Sequence, residues 1–154
     1  MPDDFYQQTP NANALATEGV MNTIRTADML FDRIGRLLRP LNVSAAGGLV
    51  LGILRDQGKM SPSELGERLI VTRATVTGVV DSLERRGFVR RSANPADRRG
   101  LLIEITPAGL TVLQELRTLI HGYEKAWLSG FSDSELHAYV ELLHRIQDSL
   151  GSAT

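Results

Sequence analysis

The stretch Ser61–Ile105, SPSELGERLIVTRATVTGVVDSLERRGFVRRSANPADRRGLLIEI, constrains the fold more than any other part of the chain. Midway along it the apolar period changes from that of a helix to that of a strand. Ser61 and Glu64 stand three apart, the spacing of a capping box that opens a helix. Pro62 falls at the first helical position, where its missing N–H has no helical partner to lose. Leu65 and Leu69 turn this short helix inward. Thr72 is placed to cap a second helix, whose Val76, Val79, Val80 and Leu83 follow the i, i+3, i+4, i+7 rule. Gly87, just past Arg85 and Arg86, ends it. Phe88 and Val89 start a strand, and Leu101, Ile103 and Ile105 alternate as its half-buried partner. Asn94-Pro95 gives a turn signal, and Asp97-Arg98-Arg99-Gly100 reads as a charged loop between the strands.

Two helices at this spacing followed by a basic hairpin form the pattern of a winged helix-turn-helix, and its expected partner is double-stranded DNA. The net charge of −1 at first argues against that. Its distribution argues for it. From Arg68 to Arg99 there are eight Arg against three acids, a balance of +5, while the remainder carries nine basic and fifteen acidic residues, a balance of −6. One Arg-rich segment on an acidic frame is the electrostatic footprint of a localised DNA face. Of the 17 basic residues 15 are Arg, the side chain suited to bidentate base and phosphate contacts.

Opposite its apolar stripe, the second helix shows Arg73, Ala74, Thr75, Thr77 and Gly78 at its N-terminal end. Short side chains around one Arg let a helix sink into a major groove about 12 Å wide. Arg73 is suited to guanine edges, and Ala74 and the Thr methyls to thymine methyls. A merely solvated face would more usually carry Lys, Glu and Gln. Ser61 and Ser63, with the amides that open the first helix, are expected to receive a backbone phosphate. Arg91, Arg98 and Arg99 complete the expected DNA face, with an Arg at the hairpin tip entering a minor groove. Asp97 is expected to brace Arg98 or Arg99 by a charge-assisted bond.

Around this core the sequence divides into a loose tail at 1–13, a helical arm at 14–40, the winged core at 41–105 and further helices at 106–150. Val20, Ile24, Ala27, Phe31, Ile34 and Leu38 alternate spacings of four and three over Ala14–Arg39, with Pro40 as the stop. A second helix is expected over Ser44–Gln57, with Leu49, Val50, Ile53 and Leu54 inward. Ala45, Ala46, Gly47, Gly48 and Gly52 fit tight packing there, or a pocket wall. Thr106 and Pro107 open a helix to about Leu128, striped by Leu110, Leu113, Leu116, Leu119, Ile120, Tyr123 and Trp127. Ser132 and Glu135 form a second capping box, opening a helix with Leu136, Val140, Leu143, Ile146 and Leu150. The outer helices carry more apolar stripe than a small winged core uses. A dimer through Val20, Ile24, Ala27, Trp127, Leu136, Val140, Leu143 and Ile146 is the simplest use of it, and an intrachain bundle is the alternative. The fold class is therefore mainly α with a small β-hairpin wing, a winged core flanked by long dimerisation helices.

Other functions are narrowed by what the sequence lacks. No apolar run approaches the ~20 residues of a membrane span, and Asp3 and Asp4 open no signal-peptide pattern. Cysteine is absent, which excludes disulfides, thiolate zinc sites and cysteine redox sensing, and it fits a cytoplasmic protein. No phosphate-cradling glycine loop, nucleophile elbow or HExxH motif is present, so no enzyme and no cofactor or metal is expected. His137 and His144 lie seven apart on one helix, about 10.5 Å along it, too far to chelate one metal.

The run VTRATVTGVVDSLERRGFVRR followed by NPADRRG resembles the MarR family of bacterial transcription regulators. The resemblance covers roughly residues 40–110, with Leu83-Glu84, Gly87, Val89 and Arg91 at the helix-to-wing junction, Asp97-x-Arg99 in the wing and Thr106-Pro107-x-Gly109 after it. It implies a homodimer on a pseudo-palindromic operator, with Arg73, Thr75 and Thr77 in the major groove and Arg99 in the minor groove. It also implies a repressor released by a small aromatic or phenolic ligand, held near Phe31, Ile34, Arg36 and Leu51. A winged-helix protein-interaction module, or a ligand-binding protein that reads no DNA sequence, is the alternative.

Overall fold

The computed structural model describes residues 13–69, 73–95 and 97–151, and at residues 73 and 97–99 the backbone alone. The chain divides into two compact units, Met1–Arg117 and Thr118–Thr154. In the first, α1 (Ala14–Leu37) is capped by the Asn13 side chain, which accepts from the Ala16 amide at 3.0 Å. It stops at Leu37, short of the expected Arg39, because Arg39–Leu41 tightens into a 3₁₀ turn with Pro40 inside it. None of the 24 residues of α1 is buried, and Val20 and Ile24 are 59% and 53% exposed.

Next, α2 (Ala45–Gln57) is capped by Ser44, whose hydroxyl accepts from the Gly47 amide at 3.0 Å. Its buried face is Gly47, Gly48, Val50, Leu51 and Leu54. Leu49, expected inward, is 48% exposed. Gly48 turns the helix: a Cβ there would stand 2.9 Å from Leu116 Cδ1, so the glycine face lies inward and carries Leu51 with it. The helix-turn-helix follows as α3 (Pro62–Leu69) and α4 (Arg73–Arg85). Leu65, Val76, Val80 and Leu83 bury their side chains against Leu51, Leu54 and Ile103 in one apolar core. Thr72, the expected cap of α4, lies outside the described residues. The end of α4 is a Schellman closure: Gly87 has φ +73°, its amide donates to Glu84 O at 2.8 Å, and the Phe88 amide donates to Leu83 O at 3.0 Å.

The wing is the antiparallel pair β1 (Val89–Asn94) and β2 (Asp97–Ile105). Met60 and Ile103 exchange backbone hydrogen bonds at 3.2 and 2.8 Å, pinning the base of the wing to the α2–α3 connection. From Val89↔Ile105 the register is regular to Ala93↔Leu101 and then jumps to Asn94↔Asp97. The residues expected as a charged loop are thus strand, with Arg98, Arg99 and Gly100 in a bulge of β2. Arg99 is therefore on the flank of the hairpin rather than at its tip.

α5 (Pro107–Trp127) opens on Thr106, whose hydroxyl accepts from the Gly109 amide at 3.0 Å and donates to Gly87 O at 2.6 Å. Within the first unit it buries Gly109, Val112, Leu113 and Leu116, while Leu110, expected inward, is exposed. In the second unit, α6 (Asp133–Gly151) opens on the expected capping box: the Ser132 amide donates to Glu135 Oε2 at 2.8 Å, and the Glu135 amide to Ser132 Oγ at 3.4 Å. No residue of α6 is buried, and Val140 and Ile146 are 47% and 46% exposed. Tyr123 and Trp127 meet at 5.9 Å between ring centroids. Among the described residues no helix is long and apolar enough to cross a membrane.

Candidate nucleic-acid interface

The outward face of α4 is built by subtraction. Val76, Val80 and Leu83 fix one stripe of the helix in the core, so Ala74 and Gly78, four apart, stand on the opposite side. Ala74, Thr75, Thr77 and Gly78 are all exposed, and none is longer than a threonine. Arg73 opens the helix from the same end, and its side chain lies outside the described part.

Two carboxylates tie this helix to the wing. Arg91 on β1 pairs with Asp81 Oδ1 at 2.5 Å and with Glu84 on α4, and its own amide donates to Glu84 Oε1 at 3.1 Å. The Arg91 side chain is 27% exposed. The Asp81 hydrogen bond, with Glu84 beside it, holds the guanidinium pKa above its ordinary value against the opposing effect of burial. Arg91, expected at the DNA face, is instead committed to two acids, and its place is at the hinge between helix and hairpin. At the base of the wing, Arg90 and Lys59 both reach Glu104 Oε2, at 2.9 and 3.2 Å. Hydrogen bonds from Arg90 first, and then from Lys59, hold that carboxyl below its usual range.

At the start of α3 the expected phosphate seat is filled from within. The Ser61 amide donates to Glu64 Oε2 at 2.7 Å, and the Glu64 amide donates to Ser61 Oγ at 3.2 Å. These bonds hold the Glu64 carboxyl below its ordinary pKa, so an anion already sits at the helix N-terminus. Ser61 is thereby used as a cap; Ser63 stays exposed.

The MarR family model matches residues 43–101. The repressor YetL of Bacillus subtilis is 36% identical over 85 residues, 55% of this chain, and the match spans about half of that relative, 51%. A solved structure of BpsR from Bordetella bronchiseptica is 30% identical with a TM-score of 0.74, covering 84% of this chain and 93% of that one. The chain belongs to the MarR family. MarR of E. coli in complex with operator DNA has a TM-score of 0.75 at 25% identity, covering 88% of this chain and 99% of that one. The winged fold expected from the sequence is the MarR fold, and YetL is a transcriptional repressor.

Residues singled out from sequence distribute unevenly over this MarR-family chain. Ala74, Thr75, Thr77 and Gly78 share one exposed face. The side chains of Arg73, Asp97, Arg98 and Arg99, and with them the expected Asp97 brace, lie outside the described part. Of the residues expected near a ligand, Phe31 and Arg36 line an open groove of about 610 Å³ with Arg39, Ser44, Ser82 and Arg86. Leu51 is fully buried in the core and Ile34 is not on the groove, so neither faces it. Arg36 is held by Asp32, with Nη2 to Oδ2 at 2.6 Å, and Arg86 donates to Ser82 O at 2.9 Å and to Ser82 Oγ at 2.7 Å. Sequence reasoning missed Arg39 and Arg86. Two Arg flanking one end of each helix were the available signal.

Proposed function

We propose that the chain is a homodimeric, sequence-specific repressor that reads a pseudo-palindromic operator through α4 and the wing. The observation that carries this reading is the outward face of α4, four short exposed residues beside an Arg, on the side opposite its buried stripe. Such a face lets the helix backbone approach base edges, with Arg73 on a guanine and Thr75 and Thr77 near thymine methyls. Ser63, Arg98 and Arg99 supply backbone and minor-groove contacts, with Asp97 as a brace. Residues 41–105 then serve as the reading core, with 14–40 and 106–150 as dimer arms after a tail at 1–13. The exposed apolar residues Val20, Ile24, Val140 and Ile146, with Ala27, Trp127, Leu136 and Leu143, are the dimerisation surface. The likeness to the MarR–operator complex supports the same reading.

The test uses a duplex selected by this protein from a randomised pool. Arg73→Ala costs ~1–3 kcal/mol of binding and relaxes the preference at one base pair per half-site. Arg99→Ala weakens binding, and affinity unchanged by both substitutions contradicts the assignment.

Release is by a small aromatic acid. Phe31 offers a ring face in the groove, and Arg39 and Arg86 offer the positive charge that a carboxylate needs, Arg36 being paired with Asp32. The solved structure of BpsR, described as regulated in DNA binding by 6-hydroxynicotinic acid, supports this class of ligand. In a thermal-shift series with benzoate, salicylate and 6-hydroxynicotinate, at least one probe raises the Tm by several degrees, since ligand at ~100 times its Kd stabilises by about 2.7 kcal/mol. Arg86→Ala removes that rise. A flat response to all three contradicts the ligand reading and leaves the DNA reading intact.

A further inference from the structure

Nothing inside the molecule calls for a glycine at Gly78, a property it shares with the helix-interior Gly19, Gly35, Gly52 and Gly122; its place on α4 is what sets it apart. It lies in the interior of α4 and is absent from the residues with positive φ, so its backbone conformation is one that any residue adopts. A Cβ built on it meets no atom within 4 Å. At three other glycines the reason is visible. A Cβ at Gly48 would approach Leu116 at 2.9 Å, one at Gly109 would approach Phe88 O at 2.1 Å, and Gly87 needs its φ of +73°. Glycine in a helix interior destabilises that helix relative to alanine. At position 78 the fold bears this loss with neither packing nor conformation in return.

The location indicates where the return lies. At 100° per residue Gly78 points directly away from the midpoint of Val76, Val80 and Leu83, so it crowns the outward face of α4. Ala74, one turn earlier, stands beside it, and Thr75 and Thr77 flank it. A side chain on the crown would touch a groove floor before any residue beside it and would hold the helix off by its own length. We propose that Gly78 is the point of closest approach between α4 and the DNA, and that the absence of a side chain there sets how deep the helix enters the groove. Depth in turn sets whether the short hydroxyls of Thr75 and Thr77 reach base edges, so Gly78 determines specificity without making a polar contact. The inference rests on the DNA-binding reading above.

Three proteins test it: the full parent chain, Gly78→Ala and Gly52→Ala. Gly52 is also a helix-interior glycine with open space around its Cβ, on α2 and away from the crown of α4, so it reports the helix-propensity effect alone. Both variants are expected to melt higher than the parent, by about 2–4 °C. On the duplex selected by the parent, Gly52→Ala binds as the parent does, whereas Gly78→Ala binds at least ~10-fold more weakly, with its discrimination against single-base changes reduced. A more stable protein that binds its site less well is an outcome that loss of structure cannot produce. Gly78→Ala binding within twofold of the parent overturns the inference, and so does a lowered Tm, which would give the glycine an internal role. A parent that enriches no duplex sequence fails the DNA-binding reading itself, and the inference falls with it.

Discussion

Gly109→Ala is expected to remove ~3 kcal/mol of stability, the upper end of what overpacking by one methyl group costs. The added Cβ would lie 2.1 Å from Phe88 O and 2.8 Å from Ile105 Cγ1. Side chains move aside, but Phe88 O cannot. It already accepts from the Thr106 amide at 3.0 Å, and the Thr106 hydroxyl that caps α5 is bonded to the neighbouring Gly87 O at 2.6 Å. Gly109 thus lets the first turn of α5 press against the chain where α4 hands over to the wing. Denaturant unfolding of the parent and of Gly109→Ala measures the difference; a loss below ~1 kcal/mol contradicts this picture of the junction. Gly109 also explains why Thr106-Pro107-x-Gly109 is a motif with a physical content, a cap, a helix start and a close approach in four residues.

Ile24→Asp combined with Val140→Asp is expected to give a folded monomer that binds the selected duplex at least ~100-fold more weakly than the parent. Both positions are about half exposed within the protomer, so the carboxylates cost its own fold little. In the proposed dimer the same positions would meet apolar surface, where an unpaired charge is not tolerated. Operator binding by a dimer gains from tethering its second reading head to the first, a gain of about 10² to 10⁴ that a monomer loses. Sedimentation gives the mass and anisotropy the affinity. A double variant that stays dimeric moves the interface elsewhere, and a monomer that binds with undiminished affinity contradicts the role of pairing.

Much of this architecture could be read from residues a few positions apart. The capping boxes at Ser61–Glu64 and Ser132–Glu135, the Thr106 cap and the Gly87 stop all rest on short-range hydrogen bonds, and each appears as the spacing predicts. Legibility ended where distant segments decide. In α2 the apolar residues run nearly all round the helix, so periodicity could not choose between Leu49 and Leu51. The choice was made by Gly48 against Leu116, 68 residues away. Counting charge could not separate a free guanidinium from a committed one: Arg91 counts toward a positive face, yet its partners Asp81 and Glu84 lie on another element, ten and seven residues earlier. Glu64 shows the opposite failure, since the capping box that marks the helix start also occupies the amides expected to take a phosphate. In the wing, the run of charge after Pro95 suggested a loop, but backbone pairing resumes at Asp97 and leaves a bulge instead. After these corrections the proposed DNA face is a smaller and more defined surface, the crown of α4 and the flank of β2.

The central claim is that this surface reads base sequence. Its most direct test is a competition between the duplex selected by the parent chain and a scrambled duplex of equal length and composition, at ~0.15 M salt. The selected sequence is expected to be an inverted repeat with half-site centres about one helical turn apart, bound at least ~10³-fold more tightly than the scrambled one. Equal affinity for the two duplexes would contradict it.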